Sequence, residues 1–426
     1  MRLFIRAFGC RVNQYEAESL RERLTPATDG ETTDYKIADL CLINTCSVTG
    51  EADREALQLL RRITRDNPAA RLLVTGCLAT RDPDSVRKNA PHAEIVDNAH
   101  KDGIPSLLGC RVTPERGGIE AFRGHSRAFV KIQDGCDMKC SYCIIPSVRP
   151  GLKSRPVAEL RAEIERLVLG GFPEIVLCGI RLGRYLSEEG GKRVDFRGLL
   201  ERVIGIDGSF RIRLSSLEIT DVTDRLIALM AGSGGRICPS LHVPLQSGSD
   251  RVLKLMRRWY TAGFYRRRIL ALKRALPELG LFTDVMAGFP GESEKDSETT
   301  ARLIEELDFS GLHVFNYSPR PGTDAPSLPA STPEPEAAAR AGRLRDLDFK
   351  LRSDFAAQWV GKTRLGVSLD GGREALTGEF LTVRMASPLP PGMHPIHILP
   401  DATARALTEQ EAPKTPEMLA FAKNMS

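Results

Sequence analysis

The sequence predicts an α/β protein in three parts: an open parallel sheet with helices at the amino end, a central partial barrel of six strand–helix units, and a small all-β domain. Three observations carry this. Residues 1 to about 110 run in βαβαβ order, the pattern of a parallel sheet covered by helices. Residues 126 to 351 repeat a strand-then-helix unit six times. Residues 360 to 399 hold only short alternating segments, broken by Gly371-Gly372 and ended by Pro388 to Pro391. The domains implied are 1–120, 121–355 and 356–405, with a tail at 406–426.

In chain order, Arg2 to Phe8 reads as a strand, Asn13 to Leu24 as a helix and Leu40 to Asn44 as a strand. Glu51 to Asn67 reads as a helix and Arg71 to Thr75 as a third strand. From Arg81 to Gly124 the pattern loosens under Pro83, Pro91, Pro105, Pro114 and Gly117-Gly118, and reads as a linker. Barrel strands are expected at Ala128 to Ile132, Glu174 to Cys178, Arg211 to Ser215, Ser240 to Pro244, Phe282 to Ala287 and Gly311 to Asn316. Helices fall between them, as at Val157 to Leu169 and Ser293 to Leu307. A Pro- and Ala-rich stretch, 319–340, leads into a charged helix from Glu336 to Trp359 that closes the barrel domain. Strands follow at Thr363 to Leu369 and Glu379 to Ala386, a small β-barrel pattern used by RNA-backbone binders. The polar tail after Asp401, with Pro413 and Pro416, has no core pattern and is expected to be poorly ordered.

Composition narrows the class. With 426 residues, 42% of them hydrophobic and 27% charged, the chain can bury two or three cores. It has no run of about eighteen apolar residues to cross a bilayer. Arg6 interrupts the apolar start, so nothing points to export and a cytoplasmic location is expected. The net charge of +5 permits a nucleic-acid partner without requiring one.

Ten cysteines in such a chain are metal ligands or small buried apolar groups rather than disulfides. Cys136, Cys140 and Cys143 form C-x3-C-x2-C directly after a strand. Three thiolates on a four-iron four-sulfur cluster leave one iron free to bind a small molecule. A zinc knuckle would need a fourth ligand, and the nearest candidate is His125. Cys10, Cys46 and Cys77 each follow one of the first three strands, and the carboxyl ends of neighbouring parallel strands share one edge. They can form a second three-cysteine site. Gly9, Thr45 and Gly76 beside them let the backbone approach a bulky cluster. The alternative is three unrelated strand-end cysteines. Cys41, Cys110, Cys178 and Cys238 have no partner motif and read as packing.

C-x3-C-x-aromatic-C, with Tyr142 in the aromatic slot, resembles the signature of the radical S-adenosylmethionine enzymes. That resemblance implies a cluster whose free iron holds S-adenosylmethionine and whose electron cleaves it to a 5'-deoxyadenosyl radical. The stretches Gly9 to Glu16, Ile43 to Thr49, Glu51 to Arg54 and Thr75 to Cys77 are similar to the amino-terminal domain of the methylthiotransferases. They are most similar to the branch acting on N6-threonylcarbamoyladenosine in tRNA. Arg11-Val12 stands where the isopentenyladenosine branch usually carries Gln-Met and the ribosomal-protein branch Pro-Lys. Arg213 to Glu218, His242 to Ser249, Thr283-Asp284 with Gly288 to Glu292, and Tyr317 to Thr323 are similar to further blocks of that family.

The resemblance implies two 4Fe-4S clusters, on Cys136, Cys140 and Cys143 and on Cys10, Cys46 and Cys77, as the catalytic and metal-binding residues. It implies an S-adenosylmethionine pocket at the strand ends, with Tyr142, Gly179, Arg213, Ser215, Gln246 and Asp284. The residues 360–399, with Gly361-Lys362, Leu376 and Gly378 to Arg384, loosely resemble a TRAM domain. The activity implied is methylthio transfer to carbon 2 of the modified adenosine at tRNA position 37. The partners implied are the tRNA anticodon loop and a one-electron donor such as flavodoxin, with no membrane and a monomeric protein. Alternatives are methylthiolation of isopentenyladenosine or of a ribosomal-protein aspartate, or a non-catalytic iron-sulfur or zinc RNA-binding protein.

One stretch reads in two ways. Between residues 251 and 274 lie nine Lys or Arg and no acid: Arg251, Lys254, Arg257, Arg258, Arg266, Arg267, Arg268, Lys273 and Arg274. Trp259, Tyr260, Phe264 and Tyr265 are interleaved with them. This suits an RNA-facing patch. The alternative is a solvated helical face paired with the acids around Glu292 to Glu306.

Overall fold

The structure is a computed structural model that describes residues 1–110, 117–329, 332–401, 403–408 and 411. Pro114, part of the Pro-rich stretch (330–331) and the tail beyond residue 411, with Pro413 and Pro416, lie outside the described residues.

The amino-terminal sheet holds β1 (Arg2–Ala7), β2 (Gly30–Glu31), β3 (Leu40–Thr45), β4 (Arg71–Gly76) and β5 (Glu94–Val96), in the order β2-β1-β3-β4-β5 and parallel throughout. All six residues of the central β3 are buried, as a strand covered on both faces requires. Helix α1 (Arg11–Leu24) follows Cys10, α2 (Gly50–Asp66) follows Cys46, and the short α3 begins at Cys77 and ends at Arg81. The Thr49 hydroxyl caps α2, and Glu51 and Asp53 lie in its first turn, where acids suit the positive helix end.

The segment expected to be a linker is largely structured. Residues 83–89 are helical and β5 pairs with β4 as the edge strand. Ile119 and Phe122 are buried in the core of the next domain. A three-residue strand hemmed by Pro91 and polar neighbours is too short to show a periodicity.

The central domain has β6 (Ala128–Asp134), β7 (Lys153–Ser154), β8 (Glu174–Gly179), the hairpin β9 (Leu186–Glu189) and β10 (Lys192–Asp195), β11 (Arg211–Leu214), β12 (Ser240–His242), β13 (Gly280–Ala287) and β14 (Gly311–Asn316). Six parallel strands, β6, β8, β11, β12, β13 and β14, form the partial barrel. Its hydrogen bonding falls into two sheets, β11-β8-β6-β7 and β12-β13-β14. Val12 and Tyr15 of α1 belong to the same apolar core as β6 and β8, so the two domains share one interior.

The last domain is a closed barrel in the order β15-β16-β17-β19-β18: β15 (Thr363–Leu369), β16 (Glu374–Thr377), β17 (Thr382–Met385), β18 (Met393–Ile398) and β19 (Thr403–Ala406). The expectation of disorder after Asp401 is corrected here, because β19 pairs with β17 and β18 and closes the barrel. The expected strand at 379–386 is the shorter β17, and a turn at residues 378–381 joins it to β16, a strand beyond those expected.

This barrel docks on the amino ends of the central strands. Glu174, the first residue of β8, receives the guanidinium groups of Arg211 and Arg213 at 2.7–2.8 Å. Their Nη atoms also donate to carbonyls of the small barrel: Leu365, Leu376, Thr377 and Gly378, all at 2.8–2.9 Å. A Cβ at Gly280 would meet the Glu379 carbonyl oxygen at 1.8 Å, so only glycine allows the two backbones to touch there.

Candidate active site between two cysteine triads

Cys10, Cys46 and Cys77 stand at the carboxyl ends of β1, β3 and β4, which are adjacent, with Ala7 paired to Asn44 and Thr45 to Gly76. Gly9 has φ +79°, and a Cβ there would lie 2.3 Å from the Cys46 sulfur. The small residue expected beside the cysteine is therefore what lets the strand ends converge. Burial pushes the Cys10 thiol up to about 11; Arg149 opposes this, while Cys46 and Cys77 add to it, so all three are within electrostatic reach. Burial and Cys77 also raise Cys46.

The loop after β6 carries Cys136, Cys140 and Cys143. Gly135, at φ +77°, passes so close to residue 151 that a Cβ would meet the Gly151 oxygen at 1.7 Å. Ser141 pins the loop, its amide donating to Met256 O at 3.1 Å and its hydroxyl to Leu255 O at 2.8 Å. The Ala325 amide donates to Ser141 O at 2.7 Å. Burial pushes the Cys143 thiol up to about 12, with Cys140 and Cys136 adding to it. Thiols held this way become thiolates when a metal centre supplies positive charge.

The donor set tests which group fits. A zinc ion with bonds of about 2.3 Å would draw its thiolates to about 3.8 Å apart. Among the described residues only His242, Asp284 and His313 bring three ligand atoms within 4.8 Å of one another. Neither cysteine triad is that tight. Three thiols spread around a wider space suit a cluster better than a single ion.

The triads approach each other. Cys77 packs with Ile144 and Val148, just beyond Cys143, in one apolar group. Beside that group lies a buried polar junction between the domains. Glu16 of α1 takes Lys131 at 2.9 Å and both Arg149 nitrogens at 2.8 Å, with Lys101 completing the set. Burial alone would raise the Glu16 carboxyl, but the three cations hold it well below the usual range.

The expected S-adenosylmethionine residues fall into three groups. Tyr142, Gly179, Ser215 and Gln246 lie at strand ends or on the cysteine loop. Tyr142 meets Phe289 edge-on at 6.2 Å, and a Cβ on Gly179 would press on Gln133 at 3.1 Å. Ser215 accepts from Arg11 of the amino-terminal domain at 3.0 Å, and Gln246 adopts φ +65° with its amide on Asp284 O at 2.8 Å. Asp284 instead joins His242 at 2.8 Å and His313 at 3.2 Å. Burial raises its carboxyl, yet the two histidines bring it to about 2. Arg213 is a correction: its guanidinium is consumed by Glu174 and the carboxyl-terminal barrel, at the opposite end of the strands from the cysteine loop. Cys41, Cys178 and Cys238 are core residues and Cys110 packs at a core edge.

The basic stretch is also corrected in large part. Arg251, Arg257, Arg258, Arg266, Arg268 and Lys273 pair with Asp296, Asp324, Glu218, Glu306, Asp224 and Asp308. Tyr260 and Tyr265 are buried, their hydroxyls donating to backbone carbonyls; Trp259 is exposed. Sequence reasoning missed Arg258 as a site residue, since its neighbours in the charge run hid it. Its Nη1 lies 3.5 Å from the Cys140 sulfur.

Comparison with known proteins agrees with this architecture. Residues 2–97 match "Uncharacterized protein family UPF0004" and residues 130–304 match the "Radical SAM superfamily". "Threonylcarbamoyladenosine tRNA methylthiotransferase MtaB" of Chlamydia pneumoniae is 37% identical over 88% of this chain and 87% of its own. The chain belongs to the radical S-adenosylmethionine tRNA methylthiotransferases. A second relative, "tRNA-2-methylthio-N(6)-dimethylallyladenosine synthase" of Thermobifida fusca, is 34% identical over 84% of this chain and 76% of its own. Among solved structures, the radical S-adenosylmethionine methyltransferase TsrM from Kitasatospora setae overlays with a TM-score of 0.56, covering 76% of each chain at 13% identity, which shows a shared fold. Family membership makes the chain an enzyme that methylthiolates tRNA, with a 4Fe-4S cluster and S-adenosylmethionine as cofactors. No described helix is long and apolar enough to cross a membrane.

Proposed function

We propose that this methylthiotransferase acts on carbon 2 of N6-threonylcarbamoyladenosine at tRNA position 37, using two 4Fe-4S clusters with separate tasks. The observation that carries the two-cluster reading is the convergence of Cys10, Cys46 and Cys77 on one sheet edge whose Cys77 packs against Ile144 and Val148, next to the second triad. The substrate branch is supported by Arg11-Val12 after Cys10 and by the threonylcarbamoyladenosine enzyme of Chlamydia pneumoniae at 37% identity.

Cys136, Cys140 and Cys143 would hold one cluster, and Cys10, Cys46 and Cys77 the other. When bound, the first supplies the electron that turns S-adenosylmethionine into a hydrogen-abstracting radical, and the second holds the sulfur to be methylated and transferred. The chain's own residues arrange the space between them. Arg258 covers Cys140 and is itself fixed by Glu218. Arg11 reaches across the domain boundary to Ser215, fixing the sheet edge over the barrel mouth. Glu16 with Lys101, Lys131 and Arg149 locks the two triads at one separation. A base must leave its stack to reach such a space, as anticodon-loop bases can. A flavodoxin-type donor would supply electrons in the cytoplasm.

The test is nucleoside mass spectrometry of tRNA from a strain lacking this gene. Loss of 2-methylthio-N6-threonylcarbamoyladenosine supports the reading. Loss of the methylthio-isopentenyl nucleoside instead would assign the chain to the other branch.

A further inference from the structure

The helix that follows Cys46 begins against two arginines from elsewhere in the fold. The Thr49 hydroxyl takes the Ala52 amide at 3.2 Å, which leaves the amides of Gly50 and Glu51 at the helix end without helical partners. One turn in, Asp53 accepts from Arg320 Nη1 at 2.7 Å, and Arg81 Nη2 stands 3.2 Å from the same oxygen. Arg320 comes from the loop after β14, and Arg81 ends the short helix that starts at Cys77.

These groups are not satisfied by one another. Arg320 is only 6% exposed, yet its Nε and Nη2 have no hydrogen-bond partner among the described residues. The same holds for Arg81 Nη1 and for the hydroxyl of Ser47, which is fully buried beside Cys46. Arg320 Nη2 is aimed at the helix start, since a Cβ on Gly50 would lie 3.8 Å from it and 3.5 Å from the Ser318 hydroxyl. Two guanidinium groups face one carboxylate, so the cluster keeps a positive charge, and the helix end adds to it. Buried donors of this kind call for an acceptor with several lone pairs, and a guanidinium fork matches the two oxygens of an oxyanion.

Its location says which molecule brings the oxyanion. Helix α3 packs through Cys77 on Ile144 and Val148, and the Arg320 loop is tied to the other cysteine loop by the Ala325 amide on Ser141 O at 2.7 Å. We propose that Arg81, Arg320, Ser47 and the start of α2 bind an oxyanion of the substrate nucleotide presented between the two triads. This rests on the tRNA reading above. The oxyanion is either the carboxylate of the threonylcarbamoyl group or a backbone phosphate beside the target base.

The experiment measures binding of anticodon stem-loops to the reconstituted full-length enzyme by fluorescence anisotropy. The RNAs carry N6-threonylcarbamoyladenosine, its neutral methyl ester or plain adenosine at position 37. Arg81→Gln should weaken binding of the acid form about tenfold, the effect of one lost charge-assisted hydrogen bond. If the carboxylate is bound, wild type prefers acid to ester and Arg81→Gln erases that preference. If a phosphate is bound, all three RNAs weaken together and the slope of log K against log salt falls by about one. Arg320→Lys, which keeps the charge opposite Asp53 but removes the fork, should weaken binding of the same RNAs with the salt slope little changed, and serves if Arg81→Gln does not fold with normal iron content. Unchanged affinity and salt slope in a folded variant overturn the proposal. So does weakened S-adenosylmethionine binding with RNA binding intact. Nucleoside mass spectrometry decides the substrate branch independently, so a failure there leaves the oxyanion result readable.

Discussion

Arg149 of the barrel grips Glu16 of the amino-terminal domain through two parallel hydrogen bonds, each 2.8 Å long. Lys131 reaches the same carboxylate from β6 at 2.9 Å and Arg149 also holds Asp134, two residues before Cys136. This pair joins the support of one triad to the support of the other, and it is almost wholly screened from water.

Breaking it should be expensive. Glu16→Gln leaves three buried cations with one acid, Asp134, and is expected to cost about 3–5 kcal/mol of stability in urea unfolding at neutral pH. The folded pKa of Glu16 lies below its unfolded value of about 4.3. Its contribution is therefore fully present above about pH 4.3 and is lost as pH falls through the folded value. The gap between wild type and variant should narrow only in that acidic range.

Gly9→Ala tests the close approach at the first triad. The added methyl would overlap the Cys46 sulfur, at a backbone conformation that disfavours any side chain. Iron analysis after anaerobic reconstitution should fall from about eight to about four atoms per chain, with the other cluster's spectrum retained.

Arg213→Ala separates docking from cofactor binding. Removing this guanidinium takes two hydrogen bonds from the buried Glu174 and leaves three further acceptors, the carbonyls of Thr377 and Gly378 and the Ser240 hydroxyl, without their donor. Stability should drop by about 3–5 kcal/mol and proteolysis between the barrel and residue 363 should accelerate. Affinity for S-adenosylmethionine, measured by calorimetry, should stay within twofold of wild type.

Arg258 distinguishes a cluster neighbour from an RNA contact. Arg258→Met, which keeps the length but not the donors, should shift the reduction potential of the Cys136-Cys140-Cys143 cluster in a spectroscopic titration. Its tRNA affinity should remain that of wild type, whereas a true phosphate contact would lower it uniformly.

The strands were legible because parallel strands buried on both faces are continuous apolar runs, as Leu40 to Ile43 and Ile175 to Leu177 show. The triads were legible because their cysteines fall at strand ends, whose alignment topology dictates. Arg213 was not, because its position in a family-like block says nothing about which end of the strand its long side chain reaches. Arg258 was hidden for the same reason: a charge run shows sign, and only the folded chain supplies the Glu218, Asp296 and Glu306 that separate structural arginines from free ones. Strands of two or three residues, β2 and β5, carry no period to read.

The division of labour between the triads is tested most directly by Cys46→Ala. Assayed anaerobically with a reductant and substrate tRNA, this variant should still release 5'-deoxyadenosine from S-adenosylmethionine at near wild-type rate while forming no methylthio nucleoside. Cys140→Ala, as the matched control, should lose both. Loss of deoxyadenosine and product in equal measure on replacing Cys46 would contradict separate roles for the two sites.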